Sequence, residues 1–358
     1  MSFYDQVAPE TVGFNNESLC SAVSIANGNE IGWSRDLDRA LALGALDVHP
    51  YRGTLGVTRP RGGPAGIIMR YGHVVATWGD IRRSDFTFSV AKSFLSLLTG
   101  LAVHDGLISD IHDKVADYQL DDGFESAQNA GVTWYHLLTQ TSEWEGELFG
   151  KSDMVDRYRQ LNGDNTRKGH ARPLQSPGTY WEYNDVRVNR LSLSLMRIFR
   201  QPLPMVLANR IMNPIGTSNS WKWHGYRNSQ VTVDGTEMFS VPGGTHWGGG
   251  LCISAADQAL VGQLVLDNGV CRGKVIIPHE WFEIMFTPCH LNPLYGCLWW
   301  LNSNRDYMPS APESSVFASG AGGNDIWIDE SLGLVCVTRW LDPNYLDDFV
   351  GAVIGSLT

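Results

Sequence analysis

The stretch FSVAKSFLSLLTGLAV, residues 88–103, decides how the rest of the chain is interpreted. Drawn as a helix it is apolar around its whole circumference, which is typical of a buried helix. Lys92 is the one full charge inside it, and a buried ammonium without a partner gives up its proton. Ser89 lies three residues earlier on the same helical face. A hydroxyl beside a lysine that prefers to be neutral is an activated nucleophile, so we predict that Ser89 and Lys92 form a reactive pair.

The sequence around Ser89 and Lys92 indicates that their Ser-x-x-Lys pattern is more than a chance occurrence. A Ser-x-x-Lys pattern is short and is found in many proteins as an ordinary surface feature. Here residues 72–80, GHVVATWGD, predict a strand ahead of the helix, which places Ser89 near the helix N-terminus. Free backbone N–H groups and the positive end of the helix dipole lie there, and they would stabilise a developing oxyanion.

Charge and composition exclude several classes of partner. The 358 residues carry a formal net charge of -11, and only 18% of them are charged. This balance argues against a nucleic-acid surface and favours small, neutral partners. No run of apolar residues reaches membrane-spanning length, so we expect no membrane partner. The oligomeric state stays open.

Cysteine usage and motif searches bear on compartment and cofactors. The six cysteines form no CxxC pair and have no regular spacing, which is typical of reduced thiols in a cytoplasmic protein. The first residues lack a secretory leader pattern, although a trimmed mature protein would look the same. His279-Glu280 lacks a second histidine four residues on, and no glycine-rich phosphate loop precedes a helix. We therefore expect neither a metal nor a cofactor.

Strand patterns lie at both ends of the chain, and helical patterns lie between them. Residues 65–70 and 73–78 predict a hairpin, and residues 323–329 and 334–340 predict a second one. Helical periodicity covers 36–46, 132–138, 187–200 and 254–268, and a closing helix begins near residue 347. We predict an α+β fold in which one antiparallel sheet is built from both chain ends, is flanked by helices and carries an inserted, mainly helical domain.

The same pattern gives the domain boundaries. We expect residues 1–60 to form a helical and extended segment that packs on the sheet domain. The sheet domain itself should comprise 61–105 and 290–358, and the helical domain 106–289. The active cleft should lie between the two domains, where pockets tend to form.

The segment SPGTYWEYNDV, residues 176–186, offers a proton shuttle for the pair. Pro-Gly makes a turn, and Tyr183-Asn184-Asp185 stands just before the helix that begins near residue 186. A tyrosine near a buried cation can act as a base, although Tyr183 taken alone is better explained as a packing residue.

These motifs together resemble the serine β-lactamase and penicillin-binding-protein superfamily over residues 60–358. They are SVAK at 89–92, YND at 183–185, and a Gly-rich strand region near 320. The stretches WYHLLTQTS at 134–142 and GGGLCISAAD at 248–257 are similar to the superfamily's LLxHTSG and GGLxSTAxD segments. The chain is most similar to the class-C-like branch, which includes β-lactamase-fold carboxylesterases and 6-aminohexanoate-dimer hydrolases. The resemblance implies a β-lactamase-like fold.

The resemblance also implies roles for single residues. Ser89 would be the acylated nucleophile, and Lys92 would take its proton, alone or shared with Tyr183. Tyr183 would pass a proton to the leaving group and then activate the deacylating water. The oxyanion would be held by the backbone N–H of Ser89 and by that of Ala321, or of Gly320 if the register lies one residue earlier. The substrate would be a small ester or amide.

Asp185 and Ala318 are two of the positions that depart from the superfamily's pattern. Asp185 takes the place of an asparagine, where it would hold Lys92 or order the loop of Tyr183; a helix N-cap is the alternative. Ala318-Ser319-Gly320 lacks the cation that meets the carboxylate of β-lactams. Loss of such a charge-assisted pair costs about 2–5 kcal/mol, so we expect a neutral ester or amide rather than a β-lactam. A β-lactamase or D,D-peptidase, and an acyltransferase on the same fold, are the alternatives.

The loop after Ser142 is unusually acidic. Glu143 stands where the superfamily has glycine, and Glu145, Glu147 and Glu182 are close to it in sequence. We consider either an acidic rim that attracts a substrate amine or a solvated loop.

Overall fold

A computed structural model of the protein describes residues 6–161 and 163–358. The ten helices of three or more residues with α geometry in that range are α1 Asn16–Gly28, α2 Leu37–Ala42, α3 Val90–His104, α4 Trp134–Leu138, α5 Asp185–Phe199, α6 Leu203–Leu207, α7 Asn213–Ile215, α8 Ala255–Leu266, α9 His279–Met285 and α10 Leu346–Gly355. The strands are β1 Ala65–Arg70, β2 His73–Trp78, β3 Asp85–Phe86, β4 Glu147–Leu148, β5 Lys151–Ser152, β6 Lys222–His224, β7 Gln230–Val233, β8 Thr236–Phe239, β9 Gly250–Ile253, β10 Val270–Cys271, β11 Lys274–Val275, β12 Trp300–Leu301, β13 Ser315–Gly320, β14 Asn324–Asp329 and β15 Leu334–Arg339.

The main sheet joins the two ends of the chain. Its six strands run in the order β12-β13-β14-β15-β1-β2, and every neighbouring pair is antiparallel. The hairpin between β1 and β2 turns at Tyr71 and Gly72, whose φ angles of 50° and 79° suit a tight two-residue connection. The last strand β15 pairs with β1 along all six residues of each strand. The predicted α+β fold with an antiparallel sheet from both chain ends is confirmed.

Helix α3 fills the space between the sheet and the helical part of the molecule. Every residue from Val90 to Ala102 is buried, as the all-round apolar pattern predicts. Gly100 has no room for a side chain, because a Cβ there would lie 2.5 Å from the indole of Trp281. The helix ends at His104, and Gly106 follows just beyond it with a φ of 69°, a backbone conformation that favours glycine.

The helices on the two faces of the sheet come from distant parts of the chain. On one face, α1 and α10 pack against each other and cover β1 and β2. On the other, α8 packs on β15, β14 and β1. Ser254 caps α8 by accepting a hydrogen bond from the N–H of Asp257.

The division of the chain at residues 60, 105 and 289 stays a prediction. Residues 1–5 of the predicted N-terminal segment lie outside the described residues. None of the helices in the described ranges combines the length and the apolar character that crossing a membrane requires.

Candidate active site

Ser89 stands at the start of α3 on a bent piece of backbone. Phe88, the residue before it, has a φ of 50°, which is costly for a bulky side chain and persists because the surroundings hold it. The Phe88 ring packs edge-on against Trp33 and Trp340, with centroid distances of 5.7 and 6.1 Å. Ser89 is only partly buried, whereas the residues of α3 that follow it, from Val90 to Ala102, are buried.

Lys92 reaches back one turn to Ser89. Its Nζ donates a hydrogen bond of 2.8 Å to Ser89 Oγ, while the side chain as a whole is only 1% exposed. The predicted juxtaposition of hydroxyl and buried lysine is therefore present. The geometry is that of a nucleophile with a proton acceptor within hydrogen-bond reach.

Lys92 also has an anionic partner that its own helix does not supply. Asp185, the first residue of α5, pairs with Lys92 through one carboxylate oxygen. Asn184 is the N-cap, since its Oδ1 accepts from the N–H groups of Val186 and Arg187 at 3.1 and 3.3 Å. Of the two sequence interpretations of Asp185, the one that pairs it with Lys92 fits the structure, and the helix cap does not.

The prediction of a neutral lysine is wrong for the unliganded site. Burial works against a charge on Lys92, but the carboxylate of Asp185 outweighs it and raises the pKa of Lys92. The pKa of Asp185 is held well below its usual range, because burial is outweighed by His246, Lys92 and Arg159. The sequence argument failed because it assumed an unpartnered ammonium.

Tyr183 lies beside Lys92 and belongs to an aromatic wall. The ammonium of Lys92 is 4.8 Å from the centre of the Tyr183 ring. Tyr183 stacks on Trp300 at 5.9 Å, and Trp300 stacks on Tyr307 at 5.0 Å. We name Trp181, Tyr183, Tyr295, Trp300 and Tyr307 the aromatic wall; Trp181, Trp300 and Tyr307 are partly exposed. One side of the catalytic groups is therefore apolar and aromatic.

The end of strand β13 closes the other side of Ser89. A Cβ on Gly320 would lie 2.2 Å from the carbonyl oxygen of Thr87 and 3.2 Å from the N atom of Ser89, so only glycine fits. Within the described ranges, neither the N–H of Ser89 nor that of Ala321 donates to a protein acceptor. Two free donors near one nucleophile suit an oxyanion hole, and the assignment of Ala321 stays a prediction. Ala318, at the position of the missing cation, is fully buried among apolar residues.

The loop at residues 243–250, GGTHWGGG, crosses the site, and the sequence analysis singled out only its last three glycines, at 248–250. A Cβ on Gly244 would lie 3.1 Å from Lys92 Nζ and 3.6 Å from Ser89 Oγ. His246 of this loop is buried, with Nε2 paired to Asp185 and Nδ1 3.0 Å from Asp47 Oδ1. A lone histidine in a glycine-rich run is a signal that could have marked it.

Asp185, His246 and Lys92 are part of a larger group that we name the site cluster. Arg159 Nη1 donates to Asp185 Oδ2 at 2.6 Å. Lys168 Nζ lies 2.9 Å from Asp47 Oδ1 and 3.3 Å from Asp156 Oδ1. The site cluster thus comprises Asp47, Asp156 and Asp185 with Lys92, Arg159, Lys168 and His246. Sequence spacing gives no hint of Asp47, Asp156, Arg159 or Lys168.

Part of the site cluster has the residue types of a metal site. Asp47, Asp156 and His246 bring one possible ligand atom each to within 4.8 Å of one another. The ammonium of Lys168 already sits against both carboxylates, and it neutralises them where a cation would bind. The donor set therefore fits an internal ion-pair network better than a metal ion.

The acidic loop does not form an acidic rim, and only part of it is solvated. Glu143 is 0% exposed and accepts a bidentate pair of bonds from Arg172, at 2.7 and 2.6 Å. Glu182 is buried as well and pairs with Arg172. Arg187 joins them from α5, 2.8 Å from Glu143. We name the group of Glu143, Asp153, Glu182, Arg157, Arg172 and Arg187 the guanidinium cluster. Glu145 and Glu147 remain exposed.

Comparisons with known proteins identify the family of this chain. The family model described as Beta-lactamase matches residues 86–337. The chain therefore belongs to the beta-lactamase family. A curated relative, the 6-aminohexanoate-dimer hydrolase of Paenarthrobacter ureafaciens, is 27% identical over 133 residues, which are 33% of this chain and 31% of that protein. The match spans only about a third of that relative.

Solved structures share the fold at low sequence identity. EstCE1, a hydrolase with promiscuous acyltransferase activity, is 16% identical with a TM-score of 0.62, and the match covers 94% of this chain and 98% of that one. A penicillin-binding-protein homologue from Caulobacter crescentus is 16% identical with a TM-score of 0.60, over 92% and 100% of the two chains. A family VIII carboxylesterase is 17% identical with a TM-score of 0.57, over 82% and 92%. The predicted resemblance to this superfamily is confirmed.

Proposed function

We propose that the protein is a serine hydrolase that cleaves small, neutral esters or amides through an acyl-enzyme on Ser89. The observation that carries the proposal is the 2.8 Å bond from the buried Lys92 Nζ to the partly exposed Ser89 Oγ. Family membership supports a hydrolase of this fold. The six cysteines are all free thiols, which is in keeping with the proposed cytoplasmic location.

The reaction would proceed in two proton-balanced halves. Ser89 Oγ attacks the substrate carbonyl carbon, and its proton passes to the Lys92–Tyr183 pair. The N–H groups of Ser89 and Ala321 hold the oxyanion. The C–O or C–N bond then breaks, and the leaving alcohol or amine takes a proton from Tyr183. Water attacks the acyl carbon in the second half, gives its proton to the pair, and releases the acid as Ser89 regains its own proton.

The Lys92–Tyr183 pair must be one proton short before it can act. An ammonium beside a neutral phenol holds both labile protons and cannot accept a third. Acylation should therefore rise with pH as one of these protons leaves.

The walls of the cleft favour an uncharged substrate. The aromatic wall offers stacking and apolar contact, and Ala318 offers no charge to an acidic group. The cations of the site cluster are already paired with Asp47, Asp156 and Asp185. A substrate carboxylate would therefore have to compete with internal carboxylates for them, at a cost in affinity.

Mass spectrometry after exposure to a panel of p-nitrophenyl esters and anilides tests the proposal. We expect one acyl group on Ser89 and loss of turnover in Ser89→Ala. Ser93→Ala is the matched control, because Ser93 lies one turn further on and bonds only to the carbonyl of Leu298. Full turnover by Ser89→Ala would overturn the proposal.

The same assay separates the alternatives. Turnover of a chromogenic cephalosporin as fast as of the best ester would favour a β-lactamase or D,D-peptidase over our substrate assignment. Transfer of the acyl group to an added alcohol, in preference to water, would favour an acyltransferase. EstCE1, with its promiscuous acyltransferase activity, is the reason to include that arm.

A further inference from the structure

Asp185 serves more cations than one carboxylate can neutralise. It pairs with Lys92 through Oδ1, and with Arg159 and His246 through Oδ2. The carboxylate is 2% exposed, so water contributes little to screening these charges. The electrostatic stabilisation that each of the three cations receives from Asp185 therefore depends on the charges of the other two.

His246 is held in a position that favours its charged form. A neutral imidazole has one N–H donor and one acceptor, whereas both ring nitrogens of His246 face carboxylates, Nε2 at Asp185 and Nδ1 at Asp47. The other charged groups around the ring are Asp156, Arg159 and, through Asp47, Lys168. Burial opposes the charge, but the three aspartates outweigh it and raise the pKa of His246 to about 9.

We propose that His246 is a positioning residue which, as an imidazolium, takes a share of the Asp185 carboxylate and so allows the Lys92–Tyr183 pair to release its first proton at a lower pH. The proposal rests on the function proposed above. His246 acts through Asp185 and needs no contact with substrate. The effect of His246 would allow the Lys92–Tyr183 pair to act as a base near neutral pH, although the ion pair with Asp185 stabilises the Lys92 ammonium.

The direction of the effect follows from the charges. Arg159 lowers the pKa of Lys92, because a second cation near the same carboxylate repels the ammonium. A cationic His246 acts in the same sense from the other side of Asp185. Without the charge of His246, the Asp185 carboxylate interacts more strongly with the Lys92 ammonium. The Lys92–Tyr183 pair then releases its proton only at a higher pH.

Two amide variants separate the charge of His246 from its contacts with Asp185 and Asp47. The amide nitrogen of glutamine can take the place of Nε2 facing Asp185, and that of asparagine the place of Nδ1 facing Asp47. We expect both His246→Gln and His246→Asn to shift the rising limb of the pH–rate profile of acylation to higher pH by about one unit. At a pH where the rate still rises with pH, each variant should therefore acylate about tenfold more slowly than the wild type. The high-pH plateau should be higher in the glutamine variant, because only it still contacts Asp185.

The measurement is the pH dependence of acylation by a neutral activated ester, followed as acyl-enzyme by mass spectrometry. Lys168→Gln is the matched control. It removes a cation from the same cluster, but this one contacts Asp47 and Asp156 rather than Asp185, so its limb should shift less. A limb that stays at the wild-type pH in both His246 variants would overturn the inference. A plateau that is higher in the asparagine variant would also overturn it.

A second measurement covers the case in which the variants fail to fold. Of the ten histidines, His246 is the only buried one, so its ring protons alone should be protected from solvent. Nitrogen NMR of the wild-type protein at pH 7.5 should show one protected histidine with both ring nitrogens protonated. A neutral ring there would overturn the inference.

These outcomes are distinct from failure of the proposed function. If Ser89→Ala still turns over the ester, the proposed function fails, and the His246 proposal falls with it. If Ser89→Ala is inactive while the His246 variants keep the wild-type limb, only the His246 proposal fails.

Discussion

Two clusters of buried charge lie side by side in this molecule and are built from different cations. The guanidinium cluster pairs three carboxylates with three arginines. The site cluster pairs three carboxylates with two lysines, one arginine and one histidine. The same short segments supply both, since Asp153 and Asp156 share one turn and Glu182 and Asp185 flank Tyr183.

The difference between the clusters lies in which protons can move. Arginine keeps its charge at every working pH, and its planar fork fits a carboxylate with two bonds. An ammonium or imidazolium can lose a proton when its surroundings favour the neutral form. The guanidinium cluster therefore fixes the backbone around Tyr183, while the site cluster, which touches Ser89, can take part in proton transfer.

Replacing one cation of each cluster by methionine should give opposite results, and this is the largest effect that we predict. Lys92→Met leaves Asp185 with Arg159 and His246, so we expect stability to change by less than ~1 kcal/mol and acylation to fall about 10³-fold. Arg187→Met leaves three buried carboxylates with two arginines, which should cost about 3 kcal/mol of unfolding free energy. Urea unfolding and acylation rates of both variants check this.

Equal losses of stability in Lys92→Met and Arg187→Met would contradict the comparison. So would an active Lys92→Met enzyme. Either result would mean that the two clusters differ in composition but not in role.

The pH dependence of stability should also distinguish the clusters. The folded-state pKa of His246 is raised from 6.5 to about 9, so its contribution is fully present below 6.5 and is lost as pH rises through 9. The loss should be on the order of 3 kcal/mol. The pKa of Glu143 is lowered, since Arg172 and Arg187 outweigh its burial, so its contribution is present above 4.5 and is lost on acidification.

Unfolding free energies of the wild type and of His246→Gln, measured from pH 6 to about pH 9.5, test this dependence. The difference between the two proteins should shrink as pH rises. A constant difference across this range would show that His246 is not protonated in the folded state. The arginines should add no alkaline change below pH 9.5, because their ordinary pKa lies above 12.

Arg172→Lys should have the smallest effect. Lysine keeps the charge but cannot make the bidentate contact with Glu143, so we expect a loss of about 1–2 kcal/mol. The pH profile of acylation should stay as in the wild type, since Arg172 pairs with Glu143 and Glu182 of the guanidinium cluster. A shifted profile would mean that the two clusters are electrostatically coupled.

Most of the fold could be predicted from local sequence patterns. The all-round apolar helix α3, the hairpin at Tyr71-Gly72 and the cap at Ser254 follow from spacing and residue type alone, because each depends on neighbours within a few positions. The strand patterns at the two ends of the chain predicted that both ends join in one antiparallel sheet. Ser89 and Lys92 were found because one helix carries both.

Long-range charge pairing could not be predicted in the same way. Asp47 meets His246 across 199 positions, and Glu143 meets Arg187 across 44. Sequence alone shows a charged residue but not the partner that makes its burial tolerable, so Glu143 was expected in solvent and Lys92 was expected to be neutral. Asn184 and Asp185 are both good helix caps, and only the phase of α5 decides between them.

Arg339, near the end of the last strand, ties the backbone just before the nucleophile to the centre of the main sheet. Its guanidinium donates to the carbonyl oxygens of Phe86 and Ile253, at 2.8 and 2.9 Å. Phe86 is 253 positions earlier in the chain. During synthesis on a ribosome, the bend before Ser89 therefore cannot be fixed until β15 has been made. The active site should form late and in a single step, rather than as one domain folds after another.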